Sequence, residues 1–165
     1  MTEHGYHLAQ LNIGRPAAPL DSAQLADFVA GLEPVNAAAD AAPGFVWRLK
    51  EEGGDATSFV IYDEPVILVN MSVWTDRQAL LEFVYSDTHR ALLRRRREFF
   101  TRMTQAYTVL WWVPAGHLPT VAEAQERLDH LRAHGPSGHA FRLADEGYPA
   151  PGSAPLQAAS AASTE

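Results

Sequence analysis

Residues 66–74 read VILVNMSVW, the most regular alternating stretch in the chain. Ile67, Val69, Met71 and Val73 fall on one side of this alternation and are all apolar, whereas the residues between them are mixed. Successive side chains of a β-strand point to opposite faces of its sheet. The pattern therefore predicts a strand with one wholly apolar face and one mixed face.

Three further stretches predict strands: residues 6–13 (YHLAQLNI), 45–50 (FVWRLK) and 106–113 (AYTVLWWV). Apolar residues at helical spacing predict a helix after the first strand, which Pro34 should interrupt, and two more between the last two strands. A short strand is expected at residues 57–62. The order β-α-β-(β)-β-α-β is that of a ferredoxin-like split βαβ fold, an α+β architecture with an antiparallel sheet.

A helix at residues 120–134 is the strongest local signal downstream of these strands. Thr120 and Glu123 have the spacing of a capping box, and Gly135 and Pro136 end the segment. Its apolar stripe needs a partner, which is either the chain's own sheet or a second subunit. We predict one domain over residues 1–143, including this helix, and a flexible tail over residues 144–165, where Ala, Pro, Ser and Gly dominate.

Composition excludes several functional classes. The chain has 165 residues, a net charge of −7 and no cysteine, so disulfides and thiolate chemistry are excluded. No apolar run approaches the ~20 residues that span a bilayer, and no secretory signal opens the chain, so we expect a cytoplasmic protein without a membrane partner. The acidic balance argues against a nucleic-acid partner despite the basic cluster at residues 94–97. Phosphate-binding, zincin and serine-hydrolase motifs are missing from the sequence.

The mixed strand faces carry the candidate binding residues. In a barrel of this type, the wholly apolar faces should meet helices and the mixed faces should point inward. Six side chains are then expected around one cavity: Tyr6, Gln10, Asn12, Asn70, Ser72 and Trp74. Aromatic walls with a few convergent amides and hydroxyls are typical of a small-molecule site. The alternative is that these polar groups only satisfy one another inside a filled barrel.

His89 and Arg96 lie two helical turns apart and share a face. One interpretation makes His89 a general base and Arg96 an anchor for a carboxylate or enolate. The other makes His89 a helix-start residue and Arg96 half of a salt bridge to Asp or Glu across the dimer. His130 and His134 have the spacing of a metal pair, but a solvated helix face is the preferred interpretation, so we predict no metal site.

Several strings resemble a known bacterial family, DUF3291: HLAQLNIGR, PGFVWRL, ILVNMSVW, F-V-Y-x-x-x-H-x-x-x-x-R-R-R and LWWVPAGHxPTxxEAxxRLxHLRxxGP. The resemblance covers residues 4–143. It implies membership of the dimeric α/β-barrel superfamily, which includes antibiotic-biosynthesis monooxygenases and haem-degrading monooxygenases. It therefore implies a homodimer in which two ferredoxin-like halves form one barrel.

The same resemblance bears on cofactors. Haem-degrading members use an Asn on the first strand and a Trp and a His on the second long helix. Asn12 fits the first of these, but the other two places hold Phe83 and Leu93. We therefore expect no cofactor, haem included. The antibiotic-biosynthesis branch often carries a His where His89 stands.

Two functional hypotheses follow. The first is an enzyme that acts on an apolar aromatic or polyketide-like substrate, as a cofactor-independent monooxygenase or an isomerase/cyclase. His89 would be the base, Asn12, Asn70 and Arg96 would hold the developing oxyanion, and Tyr6, Gln10, Ser72 and Trp74 would bind the substrate. The alternative is a non-catalytic ligand-binding or stress-related barrel protein.

Overall fold

A computed structural model describes residues 5–50, 60–64 and 66–152. Four strands and five α-helices are described, with one short 3-10 turn at Ala23–Leu25. In chain order they are β1 (Tyr6–Gly14), α1 (Ala26–Ala41), β2 (Phe45–Arg48), β3 (Leu68–Trp74), α2 (Arg77–Val84), α3 (Asp87–Arg94), α4 (Arg96–Phe99), β4 (Thr108–Pro114) and α5 (Val121–His134).

The strands form one antiparallel sheet in the order β2-β3-β1-β4. This order and the helices between the strands confirm the ferredoxin-like fold. The strand expected at residues 57–62 lies largely outside the described residues. Inside them, Ile61 forms an isolated bridge with Glu64 across a tight turn. No described helix is both long enough and apolar enough to cross a bilayer.

The wholly apolar face of the sheet is covered by α5. Nine side chains of this face are at most 3% exposed: Ala9, Leu11, Ile13, Val69, Met71, Val73, Val109, Trp111 and Val113. They form one cluster with Ala124, Leu128 and Leu131 of α5. The apolar stripe of α5 thus packs against the chain's own sheet. The pairing of two chains remains a prediction.

The mixed face of the sheet meets α1 to α4 of the same chain, and this corrects the expectation that it points into a shared barrel. Leu8 and Trp74 pack with Leu80 of α2, while Leu68 packs with Phe28 of α1. Both crossover helices of a split βαβ unit lie on one side of the sheet because strand crossovers are right-handed. The sheet is therefore the middle layer of three.

Helix α1 runs through Pro34, although the sequence predicted an interruption there. Proline removes one backbone hydrogen bond from a helix. Phe28 before Pro34 and Ala39 after it are both buried, so tertiary packing holds both halves of α1 in place. Asp76 caps helix α2, because its carboxylate accepts a hydrogen bond from the Ala79 amide at 2.8 Å.

The segment after α5 returns to the edge of the sheet. Phe141 exchanges two backbone hydrogen bonds with Leu110, at 2.7 and 3.0 Å, and the indole of Trp112 donates to the Tyr148 carbonyl at 2.9 Å. Ala150 is buried. The flexible tail predicted from residue 144 therefore begins too early, because residues 144–150 pack on the domain. Residues 153–165 lie outside the described residues.

Candidate functional site

A cavity of about 370 Å³ lies between the mixed face of the sheet and the helices α1 to α4. This volume falls within the roughly 300–1,000 Å³ of small-molecule sites. Its walls are mainly apolar side chains from the helices: Phe28, Leu32, Leu80, Phe83, Leu92, Phe99 and Phe100. Its floor is polar. The cavity is formed within one chain, between sheet and helices.

The polar floor consists of two neighbouring rows across the sheet. Register places Gln10 opposite Ser72, and Asn12 opposite both Asn70 and Thr108. These five side chains all line the cavity. The alternation of each strand brings them to the same face. Four of the five, Gln10, Asn12, Asn70 and Ser72, were predicted from the sequence, whereas Thr108 was not.

A short hydrogen-bond network fixes part of this floor. Gln10 Nε2 donates to Asn70 Oδ1 at 2.9 Å and to Ser72 Oγ at 2.8 Å, and Trp74 Nε1 donates to the same Ser72 oxygen at 2.8 Å. The bond from Gln10 fixes the orientation of the Asn70 amide, because it holds the amide oxygen. The NH₂ group of Asn70 is left without a partner among the described residues. Trp74 itself is fully buried and stacks on Phe83, with ring centroids 5.1 Å apart.

Two amides on this floor keep unused hydrogen-bonding groups. The NH₂ group of Asn70 has no partner among the described residues, and the side chain of Asn12 has none at all there. Asn70 is exposed and Asn12 is half-buried. Their unused groups are therefore accessible to a molecule bound in the cavity.

His89 lies on the wall of the cavity with one nitrogen occupied. Its Nδ1 is 3.0 Å from the Val84 carbonyl oxygen, which can only accept, so Nδ1 carries the proton in the neutral ring. Nε2 then carries the lone pair. Burial lowers the pKa of His89 below its ordinary value, and the hydrogen bond to Val84 opposes this shift only in part. The ring also contacts Phe83, with centroids 5.1 Å apart. A neutral imidazole with a free Nε2 can accept a proton.

Arg96 reaches the cavity from α4 and has no acidic partner in the described residues. One terminal nitrogen donates to the Ile13 carbonyl at 3.3 Å. The guanidinium lies over the rings of Phe100 and Tyr107, 5.0 and 4.3 Å from their centroids. The other interpretation of Arg96, a salt bridge to Asp or Glu across a dimer, stays a prediction because it involves a second chain. Its remaining donors can meet an anion.

The sequence did not identify Arg48 as a site residue, but Arg48 lines the cavity. An irregularity between Phe45 and Trp47 shifts the register of β2, so that Phe45 pairs with Trp74 and Arg48 with Ser72. A β-bulge re-aims side chains in this way. Arg48 forms an ion pair with Asp40 at 2.8 Å, and this contact lowers the pKa of the Asp40 carboxyl.

Tyr6 is the predicted binding residue that does not line the cavity. It pairs with Pro114 at the end of the sheet, beyond the cavity floor.

His130 and His134 contact each other, with ring centroids 4.7 Å apart, on the outer side of α5. Within the described ranges, no group of three or more His, Asp or Glu side chains could hold a metal ion.

Fold and site together define a ferredoxin-like α+β protein with a ligand-sized cavity between its sheet and its helices. Residues 7–157 match the family model described as a domain of unknown function, DUF3291. The chain belongs to this family. A search of curated proteins finds no match.

Several solved structures are similar to this chain at low identity. A conserved protein from Methanosarcina mazei Go1 is 12% identical, with 67% of this chain and 93% of that chain covered and a TM-score of 0.48. SnoaB, a cofactor-independent oxygenase from Streptomyces nogalater, is 18% identical, with 68% and 95% covered and a TM-score of 0.43. A putative antibiotic biosynthesis monooxygenase from Chloroflexus aurantiacus J-10-fl is 10% identical, with 70% and 98% covered and a TM-score of 0.42.

Proposed function

We propose that the chain is an enzyme that transforms an apolar aromatic or polyketide-like small molecule in this cavity without a cofactor. The observation that carries the proposal is the combination of a neutral His89 with unpaired donors around one cavity. Asn12, the NH₂ group of Asn70 and the guanidinium of Arg96 all have unused donors there. The substrate is also contacted, or Asn70 is held in place, by Gln10, Ser72 and Trp74.

The chemistry begins with proton abstraction. His89 Nε2 takes a proton from a carbon next to a carbonyl group, or from a phenol, and the amides and Arg96 stabilise the negative charge that develops on the substrate oxygen. In an isomerase or cyclase, the proton returns to another substrate atom. In a monooxygenase, O₂ reacts with the carbanion. One oxygen atom of O₂ becomes the oxygen of a new carbonyl group on the former CH₂ carbon. The other oxygen atom leaves as water, together with the two hydrogens of that CH₂ group.

The alternative is a non-catalytic protein that either binds a ligand or has an interior filled by its own side chains. A closed interior requires Asn12, Asn70 and Arg96 to be satisfied internally. Asn70 is exposed, and Asn12 and Arg96 are half-buried, so their unused donors are open to a ligand. The open volume beside these donors favours a ligand site, and His89 favours catalysis over storage.

Ligand binding tests the proposal first. Purified protein is screened by thermal shift against phenols, quinones, anthrone-like ketones and haemin. We expect a phenolic or ketone ligand to raise the melting temperature of the wild type by mass action and to fail with Asn70→Leu. Gln105→Leu, which changes an exposed loop amide, is the matched control and should respond like the wild type. A haemin complex with a Soret band would contradict the cofactor-free assignment.

Turnover then separates the two functions. Anthrone with O₂ is followed by anthraquinone formation in wild type and His89→Gln. Loss of turnover with retained binding in His89→Gln supports the enzyme. Binding of ligands without turnover of any of them would favour the non-catalytic alternative. A homodimer and a cytoplasmic location, without nucleic-acid or membrane partners, remain part of the proposal.

A further inference from the structure

Helices α3 and α4 turn different residues to the cavity and to solvent. His89, Leu92 and Arg96 line the cavity. Arg90, Arg94 and Arg97 are exposed and do not line it. We call these three residues the arginine stripe. Arg90 and Arg94 lie one turn apart on α3, and Arg97 follows on α4, beyond the break at Arg95.

The arginine stripe has no acidic partner in the described part of the chain. The neighbouring Arg95, by contrast, is paired with both Asp27 and Glu98, at 3.0 and 2.8 Å. Three unpaired cations stand out in a chain with a net charge of −7. Because they lie outside the cavity, they cannot hold the bound small molecule. Their charge is available to a partner at the surface.

The stripe adjoins a residue that lines the cavity and also reaches solvent. Leu93 lies between Arg90 and Arg94 in sequence, is 41% exposed, and lines the cavity. A partner that covers the stripe therefore lies beside Leu93. A cationic rim beside an apolar cavity fits a partner that is acidic outside and carries an apolar group.

We propose that the arginine stripe docks an acidic carrier protein, which presents an aromatic or polyketide acyl group on a phosphopantetheine arm to the cavity. The proposal rests on the proposed function only for the nature of this cargo. Complementary charge gives orientation and fast association to such transient complexes. A membrane is a poorer fit, because the apolar side of α3 faces the cavity. Nucleic acid is a poorer fit, because the chain as a whole is acidic.

Binding of a labelled stand-alone acyl carrier protein, loaded with a 2-naphthoyl thioester, tests this proposal by fluorescence anisotropy. We expect salt-sensitive binding to the wild type and a Kd about tenfold weaker in R90E/R94E/R97E, because three charges that attract the acidic carrier are reversed. The single variant R94E should bind more weakly than the wild type, whereas Lys50→Glu, which makes the same change of charge as R94E beyond β2, should bind like the wild type. Circular dichroism confirms that each variant is folded.

Two further probes make the outcome decisive. Free 2-naphthoyl-pantetheine should bind wild type and R90E/R94E/R97E equally, because the stripe lies outside the cavity. Equal carrier binding by wild type and R90E/R94E/R97E would overturn the proposal. So would no carrier binding at all, or stripe-dependent binding to phosphatidylserine vesicles in its place. None of these readouts needs turnover, so failure of the proposed reaction would be recognised separately.

Discussion

At the scale of single residues, the two nitrogens of His89 have different roles, and the ring should make stability depend on pH. Burial lowers its pKa in the folded state, so between the folded and unfolded pKa values the unfolded chain binds more protons. The neutral ring contributes fully to the free energy of unfolding at pH values above the unfolded pKa of about 6.5. This contribution is lost as the pH falls from there through the lower pKa of the folded state.

The prediction is that wild type loses more stability than His89→Gln on acidification from about pH 7.5 to about pH 5.5. Urea unfolding of both proteins at the two pH values measures the free energies. His134→Gln, which changes an exposed histidine, should follow the wild-type curve. Parallel curves for wild type and His89→Gln would show that the ring titrates alike in folded and unfolded chains.

Residue alternation sufficed to predict most of the cavity floor. Gln10, Asn12, Asn70 and Ser72 share a face in any regular strand, and the register brings them together. Alternation could not predict Arg48, because a register shift in β2 rotates it to the opposite side. A bulge depends on pairing between strands, which a single segment does not encode.

At the scale of elements, the junction between β4 and α5 shows how a motif can serve structure alone. Thr120 Oγ1 accepts from the Glu123 amide at 3.1 Å, as a capping box requires. The Glu123 carboxylate turns instead to the indole of Trp111 at 2.8 Å and to His117 at 2.7 Å. The capping box is therefore half formed, and Glu123 ties the strand to the helix.

The prediction for this junction is that Glu123→Ala destabilises the fold by about 1–3 kcal/mol, because the fully buried indole of Trp111 loses its acceptor. Chemical denaturation followed by tryptophan fluorescence measures the loss. Glu123→Gln keeps an amide oxygen for the indole and should lose less. Equal losses in both variants would mean that charge, and not the hydrogen bond, holds the junction.

At the scale of the whole molecule, the sequence left the partner of α5 undecided. An apolar stripe looks the same whether it packs on its own sheet or on another chain. The geometry of the cluster around Leu128, which is fully buried against the sheet, decides in favour of the chain's own sheet. The expectation that the mixed face of the sheet points into a shared barrel is wrong for a related reason. The topology decides which helices cover each face of the sheet, and both faces carry enough apolar residues to be covered by helices.

The prediction for the whole fold is that Leu128→Ala lowers the free energy of unfolding by about 2–5 kcal/mol, because it leaves a cavity between α5 and the sheet. Guanidinium unfolding measures the change. Leu118→Ala removes a leucine that is 51% exposed in the loop before α5 and should change stability by less than about 0.5 kcal/mol. Similar effects in the two variants would place α5 away from the core.

The position of α5 also has a consequence for synthesis on the ribosome. All four strands are complete once Pro114 has been added, but the helix that covers their apolar face ends only at His134. At a synthesis rate of about 5–20 residues per second, α5 is completed about 1–4 seconds after the last strand. During that interval the nascent chain displays a continuous apolar surface. Chaperones that recognise such surfaces should engage ribosomes stalled in this window, and release the chain once α5 has emerged.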